Sequence, residues 1–243
     1  PEDLQRVASL TTLGSISRVA DSDGKHKLIS IEEPLSHVTE AYRALRTNIR
    51  ISSVDEPIHT LIVTSPNSRE GKSTTAANLG VVVAQAGNSV ILVDADLRRA
   101  ALHRFFSLPS KEGLTNALMQ DELQVNGWLQ ETEVENLRVM TSGPLPPDPA
   151  DLLGSKKMQH LIECLEREAD LIIFDTPPTL PVSDTAVLAL EADAVLLVVE
   201  AGRTRRGALR RSMESLNRAG ANILGAVLNR VHSKPPKGYY YYE

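Results

Sequence analysis

The ten residues Ser65-Pro66-Asn67-Ser68-Arg69-Glu70-Gly71-Lys72-Ser73-Thr74 constrain the fold of this 243-residue chain more than any other stretch. An apolar run, Thr60 to Ser65, leads into them. A helical pattern from Lys72 to Ala86, closed by Gly87, leads out, and a second apolar run, Ser89 to Asp94, follows. Strand, turn, helix and strand in that order make a βαβ unit. A short loop entering a helix N-terminus offers free N–H groups and the positive end of the helix dipole to a polyphosphate. Lys72 adds a mobile positive charge and Ser73 a hydroxyl for magnesium. The pattern is a P-loop with Pro66 where the first glycine is usual.

Further apolar runs recur at Leu137 to Met140, Leu171 to Phe174, Ala194 to Val199 and Ile223 to Leu228, with helical patterns at Ser155 to Glu168 and Arg205 to Ala219 between them. Continuous rather than alternating apolar strands, interleaved with helices, predict an α/β fold with a mostly parallel, doubly wound sheet covered on both faces. Two of these strands end in acids: Asp94, within Val93-Asp94-Ala95-Asp96-Leu97-Arg98, and Asp175, within Phe174-Asp175-Thr176-Pro177-Pro178. In a parallel sheet the C-terminal strand ends share one edge with the helix N-termini, so both carboxylates are expected to face the P-loop and reach a bound metal. The competing role for an Asp at a strand end is to cap the next helix.

Composition excludes several function classes. A formal charge of −5 argues against a general nucleic-acid-binding surface, which needs a basic face. The single Cys164 and six scattered histidines carry no zinc-type spacing and fit a reducing compartment. No apolar run approaches the roughly 20 residues needed to span a bilayer. The chain begins at Pro1 rather than Met, as a fragment of a longer protein would.

Together, Glu70-Gly71-Lys72-Ser73, Val90 to Arg98 and Ile172 to Pro177 resemble the bacterial tyrosine autokinases of capsule and exopolysaccharide export, which are built on the P-loop ATPase scaffold of MinD and ParA. The resemblance spans nearly the whole chain, with support from Leu102 to Phe105, Gly113-Leu114, Pro146 to Leu153 and Gly225 to Asn229. It implies ATP and Mg2+ as cofactors on Ser68, Arg69, Glu70, Gly71, Lys72, Ser73 and Thr74, with Asn229 reading the adenine. It further implies metal binding by Ser73, Asp96 and Asp175, with Lys72, Asp94 and Asp96 as catalytic residues. Asp94 is the expected base, although base and metal roles are exchangeable between Asp94 and Asp96.

Residues 1–34 read as an N-terminal extension, similar to a juxtamembrane segment; 35–232 form the P-loop kinase domain, beginning with helix 35–52; and 233–243 form a tail. In the helix, Glu40, Arg43 and Arg46 resemble the family's ring-assembly motif. Their i, i+3, i+6 spacing keeps them within an arc of about 120°, which also describes an ordinary solvated face. The tail carries Tyr239, Tyr240, Tyr241 and Tyr242 behind a Pro/Gly-rich linker, and these are the expected phosphoacceptors. At about 3.3 Å per residue the tail is long enough to visit an adjacent subunit.

Expected partners are further copies of the chain in a ring, a transmembrane polysaccharide co-polymerase that activates it, separate or fused upstream, and a tyrosine phosphatase; no nucleic acid is expected. The expected location is the cytoplasmic face of the membrane. Three departures from the family pattern bear on the loops: Ser68-Arg69 replaces Pro-Gly, Ala100 replaces a Pro, and Asn67 stands where MinD relatives carry a signature Lys. The last argues for an autokinase over the alternative, a MinD/ParA-like switch ATPase.

Overall fold

The computed structural model describes residues 10–19, 26–53, 57–120 and 124–232. The described residues build one eight-stranded sheet. In chain order the strands are β1 (Thr12–Ser17), β2 (Thr60–Thr64), β3 (Val90–Asp94), β4 (Gln130–Glu131), β5 (Leu137–Met140), β6 (Leu171–Asp175), β7 (Ala194–Glu200) and β8 (Ile223–Val231). Their spatial order is β1-β8-β7-β2-β6-β3-β5-β4, and every neighbouring pair is parallel except β4 with β5. The expected doubly wound topology is therefore observed. From β2 the chain moves outward through β3 and β5, then returns to place β6 between β2 and β3. The P-loop leaves the end of β2, in the crevice that this reversal creates.

Both faces are covered because the central strands are apolar on both sides. One face buries Leu61, Val63 and Leu92 beneath helices α2 (His37–Ser52) and α3 (Lys72–Ala84), which contribute Leu45, Leu79 and Val82. The short helix α1 (Ile29–Glu32) packs on the same side. The other face buries Ile62, Ile91 and Val195 beneath α7 (Lys156–Glu166), α8 (Asp184–Leu188) and α9 (Arg206–Arg218), which contribute Leu161, Leu188 and Leu209. Three further short helices, α4 (Leu102–Phe105), α5 (Leu114–Met119) and α6 (Pro149–Leu153), lie in the connections. Helix α2 starts at His37 because Ser36 caps it, its Oγ accepting from the Thr39 N–H at 3.2 Å.

Where it is described, the expected N-terminal extension is part of the sheet. Leu13 and Ile16 are buried, and β1 pairs with β8 at the opposite end of the chain. Asn48 of α2 donates to the Leu13 carbonyl at 2.7 Å, and the Ala226 N–H donates to the Thr11 carbonyl at 2.8 Å. Gly225 permits this approach: a Cβ there would lie 2.7 Å from both Leu13 Cγ and the Thr11 oxygen. Gly225→Ala is therefore expected to overpack this seam and cost about 1–3 kcal/mol, read as a lowered urea midpoint. An unchanged midpoint would refute the close docking of β1.

Candidate active site

The P-loop is held in shape by its own acid. Glu70, 1% exposed, accepts from the Asn67 backbone N–H and side-chain amide, both at 3.0 Å, and from Thr204 Oγ at 2.6 Å. Ser65 Oγ donates to the Asn67 carbonyl at 2.7 Å. Gly71 turns the chain into α3 at φ 97°, a left-handed conformation open to glycine. Asn229 exploits the missing side chain. Its amide donates to the Glu70 carbonyl at 2.9 Å, and a Cβ on Gly71 would sit 2.0 Å from that nitrogen. Arg69 takes φ 68° at the position where the family pattern has Gly.

Ser68, Arg69, Gly71, Lys72, Ser73 and Thr74 line a cleft of about 930 Å³, with Asp96, Arg98, Arg99 and Arg104 opposite. Glu70 does not line it, because its side chain is committed to bracing the loop. A smaller hollow of about 260 Å³ adjoins, walled by Ile16, Ile29, Val38 and Tyr42 and touching Gly71, Thr74 and Asn229. Asn229, expected to read adenine, is thus beside this hollow while its amide secures the P-loop. Tyr42, the one tyrosine outside the tail cluster, is 1% exposed, and burial pushes its hydroxyl pKa well up.

Lys72 sits among oxygens. Its Nζ lies 2.7 Å from Asp96 Oδ2, 3.3 Å from Asp175 Oδ1 and 3.2 Å from Ser73 Oγ. Burial works against its charge, but Asp175, Asp96 and Asp94 outweigh that and raise its pKa. Asp175 is raised chiefly by burial, against the pull of Lys72. The register explains the crowding, since Asp94 and Asp175 are direct partners across β3 and β6.

The two acids after β3 separate in role. Asp96 faces the cleft, and its Oδ1 accepts from the Arg99 N–H at 3.0 Å. Asp94 does not line the cleft: its Oδ2 accepts from the Ala101 and Leu102 N–H groups, both at 2.9 Å, at the start of α4. The helix-capping alternative describes that oxygen. Its Oδ1 is buried without a hydrogen-bond partner among the described residues, as is Asp175 Oδ2. Burial and then Asp175 push the Asp94 pKa up to about 7.

The remaining expected residues lie away from this cluster or outside the described residues. Glu40 and Arg43 pair with each other, while Arg46 donates to the Val82 carbonyl of α3 at 2.7 Å, so it is tied to its own chain. Tyr239 to Tyr242 lie outside the described residues. Sequence reasoning did not single out Asp184, which is fully buried and takes Arg98 in a two-pronged ion pair at 2.8 and 3.1 Å. It also missed Thr204 and the Arg230 guanidinium, which donates to the Arg69 carbonyl at 2.9 Å. No local motif marks any of these; each depends on a partner far away in sequence.

A strand-loop-helix phosphate cradle at the switch point of a doubly wound sheet, with acids on the adjoining strand ends, defines a P-loop NTPase of the MinD/ParA type. The comparisons agree and go further. A family profile described as "AAA domain" matches residues 67–219. The chain is 40% identical over 218 residues to tyrosine-protein kinase YwqD of Bacillus subtilis, covering 90% of this chain and 92% of that one. It is 35% identical over 214 residues to tyrosine-protein kinase etk of Escherichia coli, spanning 88% of this chain and 29% of that longer protein. The solved kinase domain of the E. coli enzyme superposes with a TM-score of 0.89 at 30% identity, covering 100% of this chain and 98% of that one. The cell-division ATPase MinD of Pyrococcus furiosus gives 0.60 at 27% identity, over 73% and 76%. The chain belongs to the bacterial tyrosine-protein kinase family and is a protein-tyrosine kinase.

The Asp94 environment makes stability pH-dependent. The folded chain retains a proton that the unfolded chain, with its carboxyl near 3.8, releases between about pH 4 and 7. The contribution of Asp94 to stability is therefore greatest below this window and falls as pH rises through it. Asp94→Asn, which keeps an oxygen for the two N–H groups of α4, is expected to flatten that slope in urea unfolding series. An undiminished slope would show that Asp94 does not carry it.

Proposed function

We propose that this kinase transfers the γ-phosphoryl group of ATP to Tyr239–Tyr242 of a neighbouring copy, within a ring. The observation that carries this reading is the Lys72 ammonium held between Asp96, Asp175 and Ser73 in the cleft. A cation already ringed by hard oxygen donors, with an orphan Asp175 oxygen behind it, fits Mg2+ chemistry. Ser73 and Asp175 would hold the metal, which when bound neutralises charge on the phosphates. Lys72 would then exchange its carboxylate partners for phosphate oxygens, and the backbone from Ser68 to Thr74 would cradle them. The adenine fits the hollow beside Asn229, between the aliphatic walls of Ile16, Ile29 and Val38.

For the acceptor, Asp96 is the better-placed group than Asp94, because it faces the cleft and Asp94 caps α4. A tyrosine with a pKa near 10 arrives protonated, so Asp96 orients its hydroxyl and takes the proton as the oxygen–phosphorus bond forms and the bond to ADP breaks. The wider setting follows the family resemblance: capsule or exopolysaccharide export, a membrane co-polymerase as activator, and a phosphatase that resets the tail. Relatives named CapB and CpsD, and a solved chimerical protein CapA2B2 at 34% identity with a TM-score of 0.88 over 96% of this chain and 99% of that one, support the capsule setting and the co-polymerase partner. No described helix is long and apolar enough to cross a membrane, so a membrane location rests on a partner or on further chain.

Intact-mass spectrometry after incubation with ATP and Mg2+ tests the reading. Successive phosphate additions mapping to Tyr239–Tyr242 are expected, absent in Lys72→Met and reduced at least about a hundredfold in rate in Asp96→Asn. ATP hydrolysis with unchanged mass would favour the switch ATPase. A smaller loss in Asp96→Asn than in Asp94→Asn would return the base role to Asp94.

A further inference from the structure

We propose that the outer part of the cleft reads negative charge beside the acceptor tyrosine, through Arg99 and Arg104, so that acidic and already phosphorylated neighbours recruit the next acceptor. This rests on the tyrosine-transfer reading above and names its substrate preference. Charge in the cleft is strongly one-sided. Its lining holds the cations Arg69, Lys72, Arg98, Arg99, Arg104 and Arg230 and the acid Asp96. Most of these cations are accounted for. Lys72 has Asp96 and Asp175, Arg98 has Asp184, and Arg230 has Glu200 at 3.1 Å. Arg69 belongs to the phosphate loop. Arg99 and Arg104 are exposed and have no acidic partner within ion-pair distance among the described residues.

Their position suits an acceptor rather than the nucleotide. Both come from the segment after β3, the Asp96 side of the cleft, and Phe105 of the same segment lines it with them. Pro177, Pro178, Pro181 and Val182 complete the lining. Apolar walls accept a phenol ring, and two unpaired guanidiniums beside them accept an adjacent anion. Arginine is suited to this, because its planar fork binds carboxylate or phosphate in pairs of hydrogen bonds. The neighbouring His26 and His103 are both lowered by burial and then by Arg104, so the arginines supply the positive charge at neutral pH.

The tail's own charges then set an order. Lys234 and Lys237 precede the tyrosines, and Glu243 follows Tyr242. Tyr242 has the acidic neighbour and reacts first. Each transfer consumes one ATP, releases ADP, and leaves a phosphate that serves as the anion for the preceding tyrosine. Modification advances from Tyr242 toward Tyr239.

Binding tests this without requiring turnover. Fluorescent peptides spanning Gly238–Glu243, unmodified or phosphorylated at the last tyrosine, would be titrated against the full chain with ADP and Mg2+. The phosphorylated peptide is expected to bind about tenfold tighter. Arg99→Gln and Arg104→Gln, checked for folding by circular dichroism, should each narrow the gap, and together erase it. Equal binding of the two peptides would overturn the proposal. So would a gap that survives in the double variant. Equal affinity for an acidic peptide lacking tyrosine would reduce the surface to a general anion patch and also overturn it. In the autophosphorylation time course, fragment spectra should show Tyr242 modified first; a random order contradicts the inference. A chain that binds as expected but transfers nothing would sink the kinase reading of the tail and leave the charge-reading cleft standing.

Discussion

The buried ammonium of Lys72 among carboxylates is the interaction on which the rest of the site depends. Three strand-end or near-strand-end acids, Asp94, Asp96 and Asp175, are each at most 3% exposed, and such a cluster is untenable alone. Lys72 offsets part of the charge, and the raised pKa of Asp94, about 7, lets a proton offset more. Removing one partner from a buried pair typically costs about 3–5 kcal/mol, because the other charge is left unpaired. The arrangement also suits exchange. On the proposed reading, nucleotide phosphates would take Lys72 while a divalent cation takes Asp175, so binding would substitute partners for charges whose desolvation folding has already met.

The fold was legible because buried parallel strands are written as near-continuous apolar runs, as in β2, β3, β6, β7 and the first part of β8, while β5 is interrupted by Arg138. The two-residue β4 and the four- to six-residue helices α4, α5, α6 and α8 have no period to detect. The place of β1 in the sheet was not legible, because its partner β8 lies at the other end of the chain and its docking depends on the absent side chain of Gly225.

In the site, Lys72, Ser73, Asp96 and Asp175 were legible, since loop-to-helix spacing and strand ends dictate where they fall. The division of labour between Asp94 and Asp96 was not. Two acids one residue apart after a strand look alike in sequence, and only the start of α4 decides which is drawn into capping. Arg46 shows the same limit. Helix spacing places it on a common arc with Glu40 and Arg43 but does not say which carbonyl a long side chain reaches, and its hydrogen bond to Val82 of α3 was not legible.

The P-loop illustrates how a local departure is offset from a distance. Arg69 in the left-handed region carries a penalty of about 1–2 kcal/mol that glycine would avoid. Two segments hold the loop against it. From β8, Arg230 takes the Arg69 carbonyl and Asn229 takes the Glu70 carbonyl. From the turn before α9, Thr204 takes the Glu70 carboxylate, which grips Asn67 in turn. The residues that replace the family's Pro-Gly therefore do not stand on their own conformational preferences. Their shape is imposed by β8 and the turn after β7, strands that lie together on one side of β2, so the phosphate cradle depends on that half of the sheet as much as on its own sequence.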